Sequence, residues 1–321
     1  MLAETLAVLF IGAGMSVLIL GLERKIHARI QRRCGPSVSM PGLWSMLKFM
    51  YKEPARIDSP NPGFYGLLLV AATASILSVL AFSTPPWYGI LGFSSLLGLV
   101  GLLKVEEVAY VFMGSLSRSV MSAGMPYPDL IRGSKGAGIR YFFEDVAATR
   151  ALKMITLGSF PFYVAMAVPF AAAKSLEIAA VTRAPPTLYT VYGLLSAFVY
   201  FIGYNIIANN RPFDIIKPKV DIIEGPMMEY AQAWRALSYL MRGLVLFTLS
   251  SVFVTLYLGI PLDVTDANAT ALHLILAMAL PVLASVLRAF SPVLTFRQIY
   301  PISLASTLLG ILCLALGAGG A

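Results

Sequence analysis

The residues that could carry chemistry in this chain are carboxylates and cations crowded into segment 209–242. They include Asp214, Asp221, Glu224 and Glu229, with Arg211, Lys217, Lys219 and Arg235. Ionisable groups beside hydrocarbon are costly and usually persist in pairs, in water-filled cavities or as proton relays. The charge pattern alone leaves two interpretations open: a solvated charged loop, or a buried polar network.

Metal and redox chemistry have little support in the sequence. The two cysteines, Cys34 and Cys313, lie in unrelated contexts and cannot hold an iron–sulfur cluster or a cysteine-rich zinc site. The two histidines, His27 and His273, are far apart, which favours structural or interfacial roles. The sequence contains no Walker A motif, zinc-binding pair or nucleophile elbow. We therefore expect no active site, metal or cofactor in this chain, and any redox cofactor on another chain.

The composition indicates which elements must position these residues. Of the 321 residues, 58% are hydrophobic and only 12% charged, and the mean hydropathy is +0.78. Soluble domains carry roughly 25% charged residues. These values exclude an ordinary soluble enzyme and predict an all-α integral membrane protein, with residues 1–321 forming one bundle.

Seven apolar runs are long enough to cross a bilayer as helices. They are residues 5–22, 64–82, 155–173, 188–207, 244–260, 271–287 and 299–318. Segment 88–124 is also apolar but contains Lys104, Glu106, Glu107 and Arg118. It could cross the membrane once, or hold a span and a half-buried segment.

The distribution of cations decides this point. The net charge is +8, and 20 of the 24 cations lie in segments 23–60, 125–153, 209–242 and 288–297. Cation-rich and cation-poor segments alternate only if 88–124 crosses once. The positive-inside rule then predicts about eight spans, with both termini outside and the long loops 23–60, 125–153 and 209–242 in the cytoplasm. The cations flank apolar runs and no nucleic-acid motif accompanies them, so we expect no nucleic-acid partner.

Two helices are predicted inside these loops. In segment 42–52, Leu43, Leu47 and Met50 share one face, which is typical of an amphipathic helix lying on the membrane surface. Pro226 suits the first turn of a second helix, and the apolar spacing that follows it predicts an end at Gly243.

Two motifs carry a resemblance to a known family. The first is Glu23-Arg24-Lys25, Ala28, Gln31, Arg33, Gly35-Pro36 and Lys52-Glu53; the second is Pro212-Phe213-Asp214 followed by Gly225-Pro-Met-Met-Glu229-Tyr230. Their order and spacing resemble the complex I subunit 1 family, the membrane heel subunit. The resemblance covers most of the chain.

The resemblance implies a bundle of eight tilted helices at the junction of a peripheral redox arm and a membrane arm. The residues expected to dock the redox arm are Arg24, Lys25, Arg29, Gln31, Arg33, Lys217 and Lys219. The acids expected to couple redox chemistry to ion movement are Glu106, Glu107, Glu144, Asp145, Asp214, Asp221, Glu224 and Glu229.

Two departures from the family pattern bear on the type of complex. Lys217 and Lys219 stand where quinone-reducing relatives have glutamates, and Ser159 stands nine residues after Arg150, where the family places a glutamate. These two departures resemble the pattern of the archaeal-type membrane-bound hydrogenase and sulfane sulfur reductase branch. Of these two types, they favour the sulfane sulfur reductase. The alternative is the quinone-site subunit of an NADH:quinone oxidoreductase.

The favoured branch implies a ferredoxin-linked complex in the plasma membrane that moves H⁺ or Na⁺. The expected partners are peripheral iron–sulfur and large catalytic subunits, antiporter-like membrane subunits and the lipid bilayer. Iron–sulfur clusters, and a nickel–iron or related site, are expected on those partner subunits.

Overall fold

Long apolar helices make up most of the chain, because a helix satisfies its own backbone hydrogen bonds where no water is available. The computed structural model describes residues 1–53, 57, 59, 61–90, 92–117, 143–216 and 224–319, without the side chains of 40 and 143–145. Within those residues no strand forms, and the one β-type pairing is an isolated bridge between Ser95 and Glu177. The predicted all-α membrane fold is confirmed.

The helices are numbered here in chain order. They are α1 (Leu2–Ile30), α2 (Met40–Met50), α3 (Pro62–Phe82), α4 (Leu96–Leu116), α5 (Phe143–Lys153), α6 (Phe160–Ala172), α7 (Ile178–Arg183), α8 (Val191–Ile207), α9 (Gln232–Leu258), α10 (Ala267–Ala277), α11 (Ala279–Phe290) and α12 (Phe296–Gly319). A π-helical turn, Met154–Gly158, joins α5 to α6.

Six helical stretches of the described chain are long and apolar enough to cross a membrane. They are α1, α3, Val146–Ala172, α9, Ala267–Phe290 and α12. Helix α8 is apolar but has only 17 residues, and α4 has 21 residues that include Lys104, Glu106 and Glu107. The chain is a multi-pass membrane protein, and the count of eight spans stays a prediction.

Several helices extend into the segments predicted as loops. Helix α1 continues to Ile30, α5 occupies 143–153, and α9 begins at Gln232. The polar ends of these helices need no hydrocarbon around them, since their charged side chains can reach water. Hydropathy therefore marks where the apolar stretch ends, and the helix itself continues.

The predicted helix end at Gly243 is wrong. Helix α9 runs through this residue without a break, and the segment after Pro226 is a 3₁₀ turn, Gly225–Met227, that precedes α9. A Cβ atom at position 243 would meet the backbone oxygen of Ser16 at 2.6 Å. The glycine allows α1 and α9 to approach closely, which is the usual role of small residues between membrane helices.

Tyrosine hydroxyls bind backbone carbonyls across the bundle core. Tyr200 donates to the Leu249 oxygen and Tyr257 donates to the Ala165 oxygen, both at 2.7 Å. These bonds attach α9 to α8 and α6. His273 is fully buried and bonds Ser251 Oγ and the Ile260 oxygen, both at 2.8 Å, which fits a structural role.

The amphipathic helix predicted at 42–52 corresponds to α2, which starts two residues earlier. Leu43 and Trp44 on this helix are 48% and 60% exposed. A Cβ atom at Gly42 would meet Val17 Cγ1 at 2.9 Å, so this glycine lets α2 lie against α1. Apolar side chains therefore remain uncovered on the outer face of α2.

Candidate functional site

The cation-rich segments meet at one end of the bundle, around a cavity of about 480 Å³. Its wall includes Arg24, Lys48, Arg211, Asp214, Glu224, Arg235, Arg242 and Arg288. These residues come from three segments, 23–60, 209–242 and 288–297. Arg150, from the fourth segment, donates from Nη1 to the Ile215 oxygen at 3.2 Å. The described parts of the segments grouped by charge alone thus lie on the same side of the bundle.

A three-residue ion cluster closes this end of the bundle. Glu23 is 7% exposed, and both of its carboxylate oxygens lie 3.1 Å from Arg242 Nη2. Arg288 Nη1 also donates to Glu23 Oε1. Because these residues belong to α1, α9 and α11, one carboxylate connects three helices. We call Glu23, Arg242 and Arg288 the Glu23 cluster.

Sequence reasoning missed the Glu23 cluster as a unit. In the sequence, Glu23 stands out only as part of the first-loop motif, and the two arginines only as boundary cations. The available signal is that each residue lies at the end of an apolar run, on the same predicted side. From that signal one can predict that the three side chains lie at the same depth in the membrane, but not that they form ion pairs with one another.

The third loop contributes its own ion pair to the cavity wall. Glu224 pairs with Arg235 Nη2, and Arg24 Nη2 donates to the Tyr239 hydroxyl at 2.6 Å. Asp214 and Glu229 are half-buried in the same loop. The described acids of 209–242 are thus partly enclosed, which favours the polar-network interpretation over a fully solvated loop.

A tyrosine pair fixes the third loop to α3. The rings of Tyr65 and Tyr230 stack with centroids 4.2 Å apart. The Tyr65 hydroxyl donates to the Pro226 oxygen and the Tyr230 hydroxyl donates to the Tyr65 oxygen, both at 2.7 Å. Burial raises the pKa of Tyr230 well above its ordinary value, so its hydroxyl remains a donor.

A second charged group lies deeper, between α4 and α6. Lys104 Nζ is 2.5 Å from Glu107 Oε2 and 3.1 Å from Ser159 Oγ. The same ammonium lies 4.2 Å from the centre of the Tyr163 ring. Glu106 and Glu107 are both buried. Ser159 therefore contacts the ammonium that pairs with Glu107, although the sequence showed it only as a missing acid.

The charged cavity and the deeper group are neighbours. A small void of about 20 Å³ is lined by Glu106, Glu107 and Ser159, and Asn209 lines both this void and the large cavity. A void of that size can hold about one water molecule. Asn209 thus separates the charged cavity from the buried carboxylates.

The predicted docking residues of the first loop lie at the end of α1 and in the turn that follows. Arg24, Arg29, Gln31 and Arg33 are exposed, and Lys25 donates to the Cys34 oxygen at 3.0 Å. Lys217, Lys219 and Asp221 lie outside the described residues, as do the side chains of Glu144 and Asp145. The roles predicted for all these residues stay predictions.

Potential metal ligands are dispersed over the described bundle. Among the residues described, no group of three or more His, Cys, Asp and Glu side chains could hold a metal ion. Cys34 is exposed and Cys313 is buried, and neither forms a disulfide. The expectation that cofactors lie on partner subunits stays a prediction.

Comparison with known proteins defines the class of this bundle. The sequence profile of the NADH dehydrogenase family matches residues 3–124 and 136–317. An uncharacterised protein of Methanocaldococcus jannaschii is 40% identical over 97% of both chains. An NADH-quinone oxidoreductase subunit of Rhodopseudomonas palustris is 27% identical, with 75% of this chain and 68% of that protein covered.

A solved structure has the same fold. It is a chain of the membrane-bound sulfane sulfur reductase, an archaeal respiratory membrane complex, with a TM-score of 0.79 and 20% identity over 98% of this chain and 99% of that one. The present chain belongs to the NADH dehydrogenase family, which is the complex I subunit 1 family that the two sequence motifs indicated.

Proposed function

We propose that this chain is the membrane heel subunit of a ferredoxin-linked respiratory complex. It attaches a peripheral redox arm to a membrane arm and couples electron transfer to H⁺ or Na⁺ translocation. The complex is of the sulfane sulfur reductase or hydrogenase type. Its partners are peripheral iron–sulfur and large catalytic subunits, which hold the iron–sulfur clusters and a nickel–iron or related site, and antiporter-like membrane subunits.

The placement of charge in the bundle is the observation that carries the proposal. One end holds a cavity with a charged wall, and Asn209 separates it from buried Glu107. A redox arm seated over that end would change the local field next to a protonatable group within the membrane. Such intramembrane acids commonly serve ion pathways.

The exposed end of α1 supports the docking role. Arg24, Arg29 and Arg33 are exposed beside the same cavity end and offer cations to an acidic partner surface. We place this end in the cytoplasm of a plasma-membrane protein, because the positive-inside rule assigns cation-rich loops to that side. Lys217 and Lys219 are part of the same proposed docking surface.

The quinone-reducing alternative has one feature in its favour, which is the cavity itself. Neutral quinone heads need apolar walls and a few hydrogen-bond donors. The cavity wall carries six cationic side chains, namely Arg24, Lys48, Arg211, Arg235, Arg242 and Arg288. This charge favours the branch without a quinone pocket. Quinone-dependent turnover by the purified complex would support the alternative.

A single substitution in the assembled complex tests the coupling role. Glu107→Gln removes the buried negative charge beside Lys104 and keeps the side-chain volume. We expect ion translocation in vesicles to fall at least tenfold while ferredoxin-linked electron transfer keeps more than half of its rate. The matched control is Glu177→Gln, because Glu177 is exposed beside the Ser95 bridge, away from the cavity.

Other outcomes would contradict the proposal. Equal loss of both activities, with subunits missing from the purified complex, would indicate an assembly defect and not a coupling role. Unchanged ion translocation in Glu107→Gln would show that this carboxylate is not part of the ion pathway. The identity of the co-purified chains tests the proposed attachment of a redox arm. A heel subunit should co-purify with the iron–sulfur subunits of that arm.

A further inference from the structure

The described residues around the large cavity carry more cations than carboxylates. Six cationic side chains line it, whereas the carboxylates available to them are Asp214 and Glu224 in the wall and Glu23 behind it. Among the residues that the structure describes, this leaves a surplus of three positive charges. Within the described part of the chain, Arg24, Lys48 and Arg211 have no ion-pair partner. Arg24 and Lys48 are exposed and Arg211 is half-buried. Cations of one sign clustered around a cleft raise the local concentration of anions and favour a bound anion.

Two residues of the cavity wall each carry a buried polar atom that lacks a hydrogen-bond partner among the described residues. These atoms are Arg242 Nε, a donor, and Asn209 Oδ1, an acceptor. Buried polar groups are nearly always hydrogen-bonded. If these side chains rotate toward the cavity, a phosphate oxygen would accept from Arg242 Nε, and a hydroxyl of the same ligand would donate to Asn209 Oδ1.

The position of α2 connects the cavity to the hydrocarbon. Lys48 and Phe49 of this helix line the cavity, while Leu43 and Trp44 are exposed on the same helix. An amphipathic helix of this kind lies at the level of the lipid headgroups. A ligand with a charged head and apolar tails can therefore place the head in the cavity and leave the tails along α2.

We propose that the cavity binds the phosphate-bearing, hydroxylated headgroup of an anionic membrane lipid. Its volume of about 480 Å³ lies within the range of small-molecule sites. Clusters of basic side chains at the membrane surface are the usual recognition element for such headgroups. The proposal stands on the cavity of this chain alone and does not depend on the redox arm.

Lipid binding to the purified full-length chain in neutral detergent tests the proposal. The probe is dioctanoyl phosphatidylglycerol, titrated by calorimetry, with dioctanoyl phosphatidylcholine, inorganic phosphate and a soluble quinone analogue as comparison ligands. We expect saturable binding of phosphatidylglycerol at least tenfold tighter than that of any of the three. Each lost cation should weaken it about fivefold.

The variants are Lys48→Gln, Arg211→Gln and the pair of them, for which we expect about 25-fold weaker binding. Arg297→Gln is the matched control, since Arg297 is an exposed cation at the same end but does not line the cavity. Unfolding temperatures without lipid should be equal in all variants, which separates lost binding from lost folding.

Three results would overturn the proposal. Equal affinity for phosphatidylcholine and phosphatidylglycerol would show that the charge is not recognised. Inorganic phosphate binding as tightly as the lipid would make the cavity a site for a free anion. Stronger binding of the quinone analogue, unaffected by Lys48→Gln, would assign the cavity to a neutral ligand.

Discussion

The Glu23 cluster provides a sharp test of how this bundle is held together. Glu23→Gln removes one carboxylate and leaves the Arg242 and Arg288 guanidinium groups facing each other, with a neutral amide between them. Both guanidinium groups donate to Glu23 in the intact protein. The substitution keeps the side-chain size, so its effect reports charge and not packing.

The expected magnitude follows from burial. Breaking a buried ion pair by removing one partner costs about 3–5 kcal/mol, because the other charge is left uncompensated. The side chains of Arg242 and Arg288 are 26% and 21% exposed, so water still reaches part of each guanidinium. We therefore expect a loss at or just below the lower end of that range, about 2–3 kcal/mol in the free energy of unfolding.

A double-mutant cycle in mixed micelles measures this loss. The free energy of unfolding is obtained by titration with SDS, followed by tryptophan fluorescence, for Glu23→Gln, Arg288→Gln and the double variant. Arg288→Gln alone should cost about 1 kcal/mol, since Glu23 keeps Arg242. The double variant should lose at least about 1 kcal/mol less than the sum of the single variants, because it removes the repulsion as well.

Glu4→Gln serves as the control, since the ion pair of Glu4 within the described residues is with the N-terminal ammonium at 3.3 Å, where both groups are well exposed. We expect it to change the free energy of unfolding by less than about 0.5 kcal/mol. If Glu23→Gln were no more costly than Glu4→Gln, or if the cycle were additive, the cluster would not hold the three helices together.

Two further predictions concern packing and the third loop. Gly203→Ala should lower the free energy of unfolding by about 1–3 kcal/mol, because the new Cβ would meet the backbone of α6 at 2.5 Å. Gly101 has open space around it, so Gly101→Ala should be neutral or stabilising in the same SDS titration. Tyr230→Phe should lower the free energy of unfolding by about 1 kcal/mol, because it removes the hydrogen bond to the Tyr65 oxygen. Tyr189 is exposed, so Tyr189→Phe should not change it measurably. Equal losses in the two variants would show that the Tyr230 hydrogen bond does not fix the loop.

The distribution of charge predicted more of this fold than the motifs did. The four cation-rich segments were grouped from the sequence, and Arg24, Arg211 and Arg288 indeed come from three of them to line one cavity. Cation-rich segments can be grouped from the sequence because the orientation of each loop depends on the Lys and Arg residues within that loop. The fold class follows from the same local signals.

Contacts between helices could not be predicted in this way. Nothing local distinguishes Gly243, where α1 approaches closely, from a glycine that ends a helix, since the difference lies in Ser16 on another helix. The pairing of Glu23 with Arg242 and Arg288 likewise joins residues more than 200 positions apart. The sequence pattern predicts how deep each side chain lies in the membrane. Which side chain it contacts depends on how the neighbouring helices are arranged.

Ser159 shows how this limit affects a functional argument. Counting from Arg150 along the span Val146–Ala172 finds Ser159 where the family resemblance leads one to expect glutamate, so the sequence alone shows no acid at this point. In the folded chain, Lys104 donates to Ser159 and pairs with Glu107, so a carboxylate from α4 lies at the same place. A glutamate at position 159 would add a second carboxylate to an ammonium that already has one. We propose that α4 supplies the acid here, and Glu107 is the residue whose removal tests the coupling role.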